Sequence, residues 1–387
     1  MYWRMYKNLM RQHIRILERL KETMAKRMWA KAQCHDQFLD ELVQQQTASC
    51  ATIWEAMAIP DNMSVSEANL QTEDFMAAFN LTPSDQSMFI LMGIPGLENA
   101  HIWISIPFAM SYFITLLGNF TVLFVVGKDQ TLHKPMYLLI CMLALTDIAK
   151  STSTLPKALC IFWFNLKSII VGACITQTFF LNTIGFTQSA ILVAMAFDRY
   201  VAICNPLRYT TILTNARIAV LGLTSFIRSV LFMLPLPLFL SKLSFCANRT
   251  IAHTHCENMA VAKLSCGDIT VSSMYSLVVS FVVSGLDLML IALSYGLIIR
   301  AVLRISSRKA HQKAFKTCTA HISVMLTIYT PGYLNSLTLR FVQGIAPHIQ
   351  VIVANIYLLI PPMLNPIIYG VKTKELRDKM RKCSCRM

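Results

Sequence analysis

Seven apolar stretches of membrane-spanning length constrain this chain more than any other feature. A helix needs about 20 apolar residues to cross the hydrocarbon layer of a bilayer. Only 14% of the residues are charged, whereas about a quarter are charged in soluble domains. Helices are the expected form, because lipid offers the backbone no hydrogen-bond partners. The stretches lie near Ile102–Val126, Pro135–Leu155, Ile170–Ala202, Ala216–Leu240, Ile269–Leu303, His321–Phe341 and Ile345–Tyr369.

The basic residues predict the orientation of these stretches. Lys and Arg residues cluster around the first, third and fifth connections between the stretches and in the tail, and the third connection has Arg199, Arg208 and Arg217. The positive-inside rule places these segments in the cytoplasm and the N-terminus outside. The same distribution argues against nucleic acid as the partner of a chain with net charge +15, because the bases alternate with apolar runs. We predict an all-α membrane protein, a seven-transmembrane helix bundle with a short cytoplasmic helix after the seventh span.

Four segments are predicted along the chain. Residues 1–62 form an N-terminal extension, disordered or isoform-specific, whose bases at helical spacing fit either a solvated helix or a membrane-surface helix. Residues 63–100 form an extracellular segment, 101–370 the helix bundle and 371–387 a cytoplasmic tail, in which Cys383 and Cys385 are either palmitoylated or free thiols. Glycosylation sequons begin at Asn62, Asn80 and Asn248, all on the predicted outer side.

Polar residues inside the spans mark candidate functional positions. Asn119 in the first span needs a buried partner, which Asp147 in the second or Asn365 in the seventh could supply. Such a group is either a structural polar cluster or a site for a hydrated ion or proton. Pro331 predicts a kink in the sixth span, and Pro366 after Asn365 predicts a hinge in the seventh.

Two further groups lie at opposite ends of the third span. Asp198, Arg199 and Tyr200 stand at its cytoplasmic end. Cys174 stands at its outer end and faces a connection with three more cysteines, so three pairings are open. These outer cysteines are Cys174, Cys246, Cys256 and Cys266.

Together, several motifs resemble the olfactory receptors, a family of rhodopsin-like G-protein-coupled receptors. The motifs are Gly118-Asn119, "LALTD" ending at Asp147, "MAFDRYVAICNPLRY" at 195–209, Ser294-Tyr295, "KAFKTCTAHI" at 313–322 and "PMLNPIIYG" at 362–370. The stretch "FILMGIPGLENAHIWISIPF" at 89–108 and the long second outer loop further resemble the fish-like class, class I. The match runs from about Asn80 to the C-terminus.

The resemblance implies a fold, partners and residue roles. It implies a multi-pass plasma-membrane receptor that binds a small volatile or carboxylic-acid-like odorant and activates a stimulatory olfactory-type G protein, raising cyclic AMP. It implies disulfides from Cys174 to Cys256 and from Cys246 to Cys266, and a sodium ion near Asp147. Lys150, one turn from Asp147, could pair with that carboxylate or displace the ion. The residues implied in the G-protein switch are Asp198, Arg199, Tyr200, Tyr295, Asn365, Pro366 and Tyr369.

The ligand is expected in the outer half of the bundle, between spans three, five and six and under the second outer loop. Arg340, near the outer end of span six, could bind a carboxylate through two hydrogen bonds, or could extend to lipid headgroups. Glu257 and Asn258 could cover the ligand, and an inward Glu257 would disfavour an acid. The candidate positions in the spans are Thr178, Leu181, Asn182, Gly185, Phe186, Ser276, Val279, Ser280, Val283, Tyr329, Gly332, Tyr333, Ser336 and Arg340.

Two other classes of function are weighed against a receptor. A transporter or channel would favour inverted repeats and ionic sites at the midplane, and no internal repeat is visible. An enzyme would need a nucleophile–base pair, an HExxH motif or a phosphate loop, and none of these is visible. We therefore expect no catalytic residues, no metal centre and no cofactor beyond the possible sodium ion.

Overall fold

Seven long helices form the bundle. The computed structural model describes residues 88–246, 249–303, 308–341 and 346–384. We label the long helices α1 to α7 and the tail helix α8. Their bounds are α1 His101–Lys128, α2 Pro135–Phe164, α3 Val171–Cys204, α4 Asn215–Leu240, α5 Thr270–Leu303, α6 Arg308–Phe341, α7 Pro347–Lys372 and α8 Lys374–Ser384. Short helices Tyr209–Ile212 and Asn258–Ala262 lie in the second inner and second outer loops.

The predicted seven-helix fold is confirmed. Within the described residues, six helices are long and apolar enough to cross a membrane, namely α1 to α5 and α7. Helix α6 has 34 residues, the same length as α3 and α5. It begins at Arg308 rather than at the predicted His321. The first part of the helix was missed because it is basic and not apolar. Hydropathy marks only the lipid-facing part of a helix, whereas the backbone ladder continues into water.

Proline shapes α4 without ending it. The helix consists of Asn215–Met233 and Pro235–Leu240, which are separated at Leu234. Proline lacks an N–H and fixes φ, so it is tolerated at the first position of a helical segment. The hydroxyl of Thr214 accepts a hydrogen bond from the Arg217 N–H and so caps the N-terminus of α4.

A small sheet joins the segment before α1 to two loops. Strand β1, Met88–Leu91, pairs antiparallel with β2, Ser168–Ile170, and parallel with β3, Thr250–Ile251. Phe89 and Leu91 are 0% exposed, whereas their neighbours in β1 are exposed, so one face of the strand is buried. The buried face packs in the outer core with Cys174 and Cys256. The sequence predicted residues 63–100 only as an extracellular segment, with no strand.

The tail helix α8 packs against the inner end of the bundle. Leu376 is fully buried in the inner core cluster, which also contains Tyr137. Glu375 accepts hydrogen bonds of 2.9 Å from Lys134 Nζ and from the Tyr137 hydroxyl. Lys379 pairs with Asp129, and this contact with other hydrogen bonds lowers the Asp129 pKa to about 2. These pairs are solvent-exposed and contribute little stability, so the apolar contact of Leu376 holds the helix.

Candidate ligand cavity and cytoplasmic switch

A cavity lies in the outer half of the bundle, below the second outer loop. Its volume is about 200 Å³, which is small beside the roughly 300–1,000 Å³ of pockets for drug-sized ligands. Helices α2 to α7 line it, and the loop residues 255–259 cover it. A space of this size suits a small organic molecule.

Most of the candidate ligand residues line this cavity. From α3 and the loop, the lining residues are Leu181, Asn182, Gly185, Phe186, Glu257 and Asn258. From α5 and α6, they are Ser276, Ser280, Tyr329, Gly332, Tyr333, Ser336 and Arg340. A period of three to four residues from the outer helix ends was therefore enough to bring these positions to one space.

Three candidate positions lie outside the cavity lining. The Thr178 hydroxyl donates to the backbone carbonyls of Cys174 and Cys256, at 3.0 Å and 3.3 Å. Val279 and Val283 pack against Met233 and Leu236 in the contact with α4. These two valines therefore lie on the face of α5 that contacts α4, rather than on the face that lines the cavity.

Helices α2 and α7 contribute lining residues that were not among the ligand candidates. Lys150 comes from the middle of α2, and Tyr357 and Leu358 come from α7. Tyr357 reaches far into the bundle because Gly185 and Gly332 leave room for it. A Cβ atom at either glycine would lie 3.2 Å from an atom of the Tyr357 side chain. The charge of Lys150 inside an apolar span was the one signal in the sequence for this side of the cavity.

Arg340 lies at the outer part of the cavity with some of its donors already used. Its Nη1 donates to the Ser273 carbonyl at 3.2 Å, and its Nη2 donates to the Ser276 hydroxyl at 2.8 Å. A guanidinium has five N–H donors in a planar fork. Two contacts therefore hold the group against α5 and leave donors for a ligand.

Glu257 is a buried carboxyl in the loop above the cavity. One oxygen accepts a hydrogen bond of 3.2 Å from Asn335 Nδ2, and the other has no hydrogen-bond partner among the described residues. Burial raises the pKa of Glu257 to about 7, against lowering contributions from Asn335, Arg340 and Lys263. The carboxyl therefore changes charge within the physiological range.

Other loop groups over the cavity are uncharged or unpaired. Burial and the nearby charges of His253 and Lys150 lower the pKa of His255 to about 3, so its imidazole is neutral at pH 7. Both polar atoms of the Asn258 amide are buried without hydrogen-bond partners among the described residues. Such atoms cost about 1–3 kcal/mol each unless a ligand or water pairs with them.

The loop is held over the cavity by covalent and hydrogen bonds. The structure forms both expected disulfides, from Cys174 to Cys256 and from Cys246 to Cys266. The first connects α3 to the loop directly before Glu257. Gln177 adds a hydrogen bond of 2.9 Å from the Cys256 N–H. The second outer loop is therefore fixed to α3, the helix that also carries Asn182 and Gly185.

A chain of polar contacts crosses the bundle below the cavity. Arg228 of α4 pairs with Asp287 of α5 through two hydrogen bonds of 2.8 Å. Ser189 of α3 donates to Asp287 at 2.6 Å and lies 2.7 Å from the hydroxyl of Tyr329. Tyr329 lines the cavity. These contacts connect α3, α4, α5 and α6, and each charge of the pair is compensated by the other.

Asn119 finds a different partner from those predicted. Its Nδ2 donates to the Pro362 carbonyl at 3.1 Å and to the Thr115 carbonyl at 2.8 Å. Pro366 lacks an N–H, so the Pro362 carbonyl one turn earlier in α7 has no helical donor. Asn119 supplies that donor. Helix α1 approaches closely there, since a Cβ at Gly118 would lie 2.8 Å from Pro366 Cγ.

Asp147 is the centre of a separate polar group. It is 0% exposed, and it accepts hydrogen bonds from Asn365 Nδ2 at 2.8 Å and from Gln188 Nε2 at 2.7 Å. The amide oxygens of Asn365 and Gln188 have no hydrogen-bond partners among the described residues. Oxygen donors of this kind suit a hard cation. A sodium ion at Asp147 stays a prediction.

Five residues of the predicted switch lie at the cytoplasmic ends of α3, α5 and α7, namely Asp198, Arg199, Tyr200, Tyr295 and Tyr369. The other two, Asn365 and Pro366, lie earlier in α7, beside Asp147 and Gly118. Asp198 is 1% exposed; it pairs with Arg199 at 3.1 Å and accepts a hydrogen bond of 2.7 Å from Tyr209 of the second inner loop. Tyr295 bonds to His321 of α6 at 2.7 Å, and Tyr369 contacts the sulfur of Met195 at 3.7 Å.

Apart from the Asp198–Arg199 pair within α3, these contacts join different helices or a helix and a loop. Tyr200 lies on the same helical end as Asp198 and Arg199, with its ring 6.3 Å from that of Phe197. The group is therefore built of short contacts that can exchange partners when a helix moves.

The glycosylation candidates Asn62, Asn80 and Asn248 lie outside the described residues. The same holds for the N-terminal extension 1–62.

A polar outer cavity under a disulfide-fixed loop, with an acid–arginine pair at the inner end of the third of seven membrane helices, defines a rhodopsin-like G-protein-coupled receptor. A sequence profile described as olfactory receptor matches residues 108–386. The chain belongs to the olfactory receptor family, and it is a multi-pass plasma-membrane receptor rather than an enzyme.

Individual relatives are similar over nearly their whole length. Human olfactory receptor 52K2 is 48% identical over 305 residues, 79% of this chain and 97% of the relative. Human olfactory receptors 52K1 and 52P1 are each 48% identical, over 78% and 79% of this chain and 96% and 95% of those proteins.

Proposed function

We propose that this receptor detects small carboxylic acids and signals through a stimulatory olfactory-type G protein to raise cyclic AMP. Family membership supports odorant reception with a G protein as partner. The proposal of an acidic ligand rests on the position of Arg340. Its guanidinium lines a cavity of about 200 Å³ and, among the described residues, uses only part of its donors. A planar guanidinium binds a carboxylate through two parallel hydrogen bonds.

The lining of the cavity suits a ligand with one charged end and a short apolar body. Asn182, Ser276 and Ser280 place hydroxyl and amide groups around the wall. Leu181, Phe186 and Tyr333 supply apolar contact area for a short carbon chain. Such a division between a few convergent polar groups and an apolar wall is typical of small-molecule sites.

Signal transfer follows from the polar chain below the cavity. An agonist that contacts Tyr329 changes the environment of a hydroxyl that lies 2.7 Å from Ser189 and so communicates with Asp287. Movement of α6 then separates Tyr295 from His321, whose hydrogen bond joins α5 to α6 near the cytoplasm. In this mechanism Arg199 leaves Asp198 for contacts with the C-terminus of the G protein. The ligand acts only by its different affinity for the two states.

The acid proposal is tested with Arg340→Met in a cyclic AMP assay. The half-maximal concentration of a short carboxylic acid should rise at least about 30-fold, since truncating one partner of a buried charge pair costs about 2–5 kcal/mol. A neutral alcohol of the same chain length should shift by less than about threefold.

Arg340→Lys serves as the matched control and should give an intermediate shift, because it keeps the charge but loses the fork. Unchanged acid potency in Arg340→Met at normal surface density would overturn the proposal. Transport of the ligand without any nucleotide signal would favour a transporter instead.

Glu257 predicts a pH dependence of the acid response. Its pKa of about 7 means that it is mostly neutral at pH 6 and mostly ionised at pH 8. The ionised carboxylate attracts Arg340 and repels an anionic ligand, while Lys263 and Asn335 face it at both pH values. The acid, ionised throughout this range, should lose potency by roughly tenfold from pH 6 to pH 8.

Glu257→Gln should keep the potency of the wild-type receptor at pH 6 across the whole range. A neutral agonist provides the control for pH effects on the assay itself. An equal slope for acid and alcohol in the wild-type receptor would rule out this role for Glu257.

A further inference from the structure

Lys150 is a buried cation in the wall of the cavity. The residue is 1% exposed in the middle of α2. Its Nζ donates to the Tyr357 carbonyl at 3.4 Å and lies 3.5 Å from the centre of the Tyr357 ring. Among the described residues it forms no ion pair. One long hydrogen bond and a ring face do not compensate for removing an ammonium group from water.

The nearby carboxylate of Asp147 does not form an ion pair with Lys150. Asp147 lies one turn away on α2, but each of its oxygens accepts an amide donor, from Asn365 or from Gln188. The Lys150 side chain instead extends toward α7 and lines the cavity. Its ammonium group lies against Tyr357, which lines the same cavity.

The charges around the cavity are unbalanced. Among its described lining residues, those with ionisable acidic or strongly basic side chains are Lys150, Glu257 and Arg340. His255 is neutral at pH 7 and adds no negative charge. Glu257 lies beside Arg340 in the outer part, because its loop also contacts Asn335 of α6. Lys150 comes from the middle of α2 and is attracted by Asp147, whose oxygens already accept two amide hydrogen bonds.

We infer that the ligand is a bifunctional acid, with one carboxylate at Arg340 and a second carboxylate or carbonyl oxygen at the ammonium group of Lys150. This assignment rests on the proposed function, because it takes the Arg340 end as given. The small volume limits the occupant to a short chain, so short dicarboxylates and keto acids are the class that fits. A second charge-assisted hydrogen bond in a buried site is the reason to expect preference over a monoacid.

The experiment compares mono- and dicarboxylates of three to six carbons in the cyclic AMP assay. At its best chain length, the dicarboxylate should be at least about tenfold more potent than the monocarboxylate of equal length. In Lys150→Met that ratio should fall to one or below. Lys150→Gln, which keeps a donor without charge, should give an intermediate ratio.

The outcomes separate this inference from the acid proposal. Activation by monocarboxylates through Arg340, with no dicarboxylate preference in the wild-type receptor at any length, overturns the bifunctional ligand alone. Activation by neutral odorants only, with no response to either acid, overturns both. The wild-type comparison decides the matter even if the Lys150 variants fail to reach the cell surface. A variant that reaches the surface and keeps the wild-type ratio also contradicts the inference.

Discussion

Arg228→Met should nearly abolish surface expression of the receptor. The substitution leaves Asp287, which is 1% exposed, as a buried carboxylate without its cation. Removing one partner of a buried ion pair costs about 3–5 kcal/mol, and a folded protein has only about 5–15 kcal/mol of stability. Ser189 still donates to Asp287 at 2.6 Å, but a hydroxyl cannot replace two charged hydrogen bonds. The measurement is flow cytometry of an epitope-tagged receptor, with thermal unfolding of the purified protein in detergent.

Two matched variants distinguish a broken pair from a general effect of charge loss. Arg300→Met removes an exposed arginine of α5 and should keep normal expression. The double variant Arg228→Met with Asp287→Leu removes both charges and should recover most of the loss, because apolar pairs often replace buried ion pairs without penalty. Normal expression of Arg228→Met, or a double variant no better than the single one, would contradict the prediction.

Arg199→Gln should abolish signalling per receptor at the cell surface. The guanidinium is needed on the active side of the equilibrium, where it contacts the G protein. Each charge-assisted hydrogen bond lost there costs about 1.5–3 kcal/mol, so the maximal cyclic AMP response should fall at least about tenfold. Arg208→Gln is the control, since Arg208 is an exposed arginine at the adjoining loop.

Asp198→Asn should act in the opposite direction. Asp198 holds Arg199 at 3.1 Å and accepts from Tyr209 at 2.7 Å. Weakening both contacts releases Arg199, so the ligand-free cyclic AMP level should rise. A purely structural cluster would instead make both variants lose surface expression with no change in signal per receptor. Opposite changes at neighbouring positions are thus the mark of a switch.

The bundle and the position of Asp198 and Arg199 at the inner end of α3 could be predicted because both depend on local patterns. A run of apolar residues determines the membrane-embedded part of a helix, and the charged group at Asp198 and Arg199 is contiguous in sequence. The start of α6 at Arg308 could not be found from hydropathy, because its basic first turns remain helical in water. The sheet was equally hidden, since strands of two to four residues carry almost no alternation.

Partner choice between spans was the least predictable property. The spacing of Asp147 and Lys150 suggested a pair, yet the lysine contacts Tyr357 of α7. Asp147 and Asn365 were the predicted hydrogen-bond partners of Asn119, yet its amide donates to the Pro362 carbonyl, which Pro366 leaves without a helical donor. Both outcomes depend on which helices are adjacent and on local backbone donors, and neither is encoded in a single span. Most of the candidate residues of the outer cavity could be chosen correctly, because the choice requires only the inward face of each helix.

The central strand of the small sheet has a consequence for biosynthesis. Leu91 pairs with Ile251 across 160 positions of the chain. At about 5–20 residues per second, roughly 8–30 s separate the synthesis of the two partners. During that time β1 presents unpaired backbone groups, which readily pair with other chains. Substitutions that prevent β1 from pairing with other chains should therefore change the yield of receptor from the secretory pathway. They should change the response of the mature receptor less.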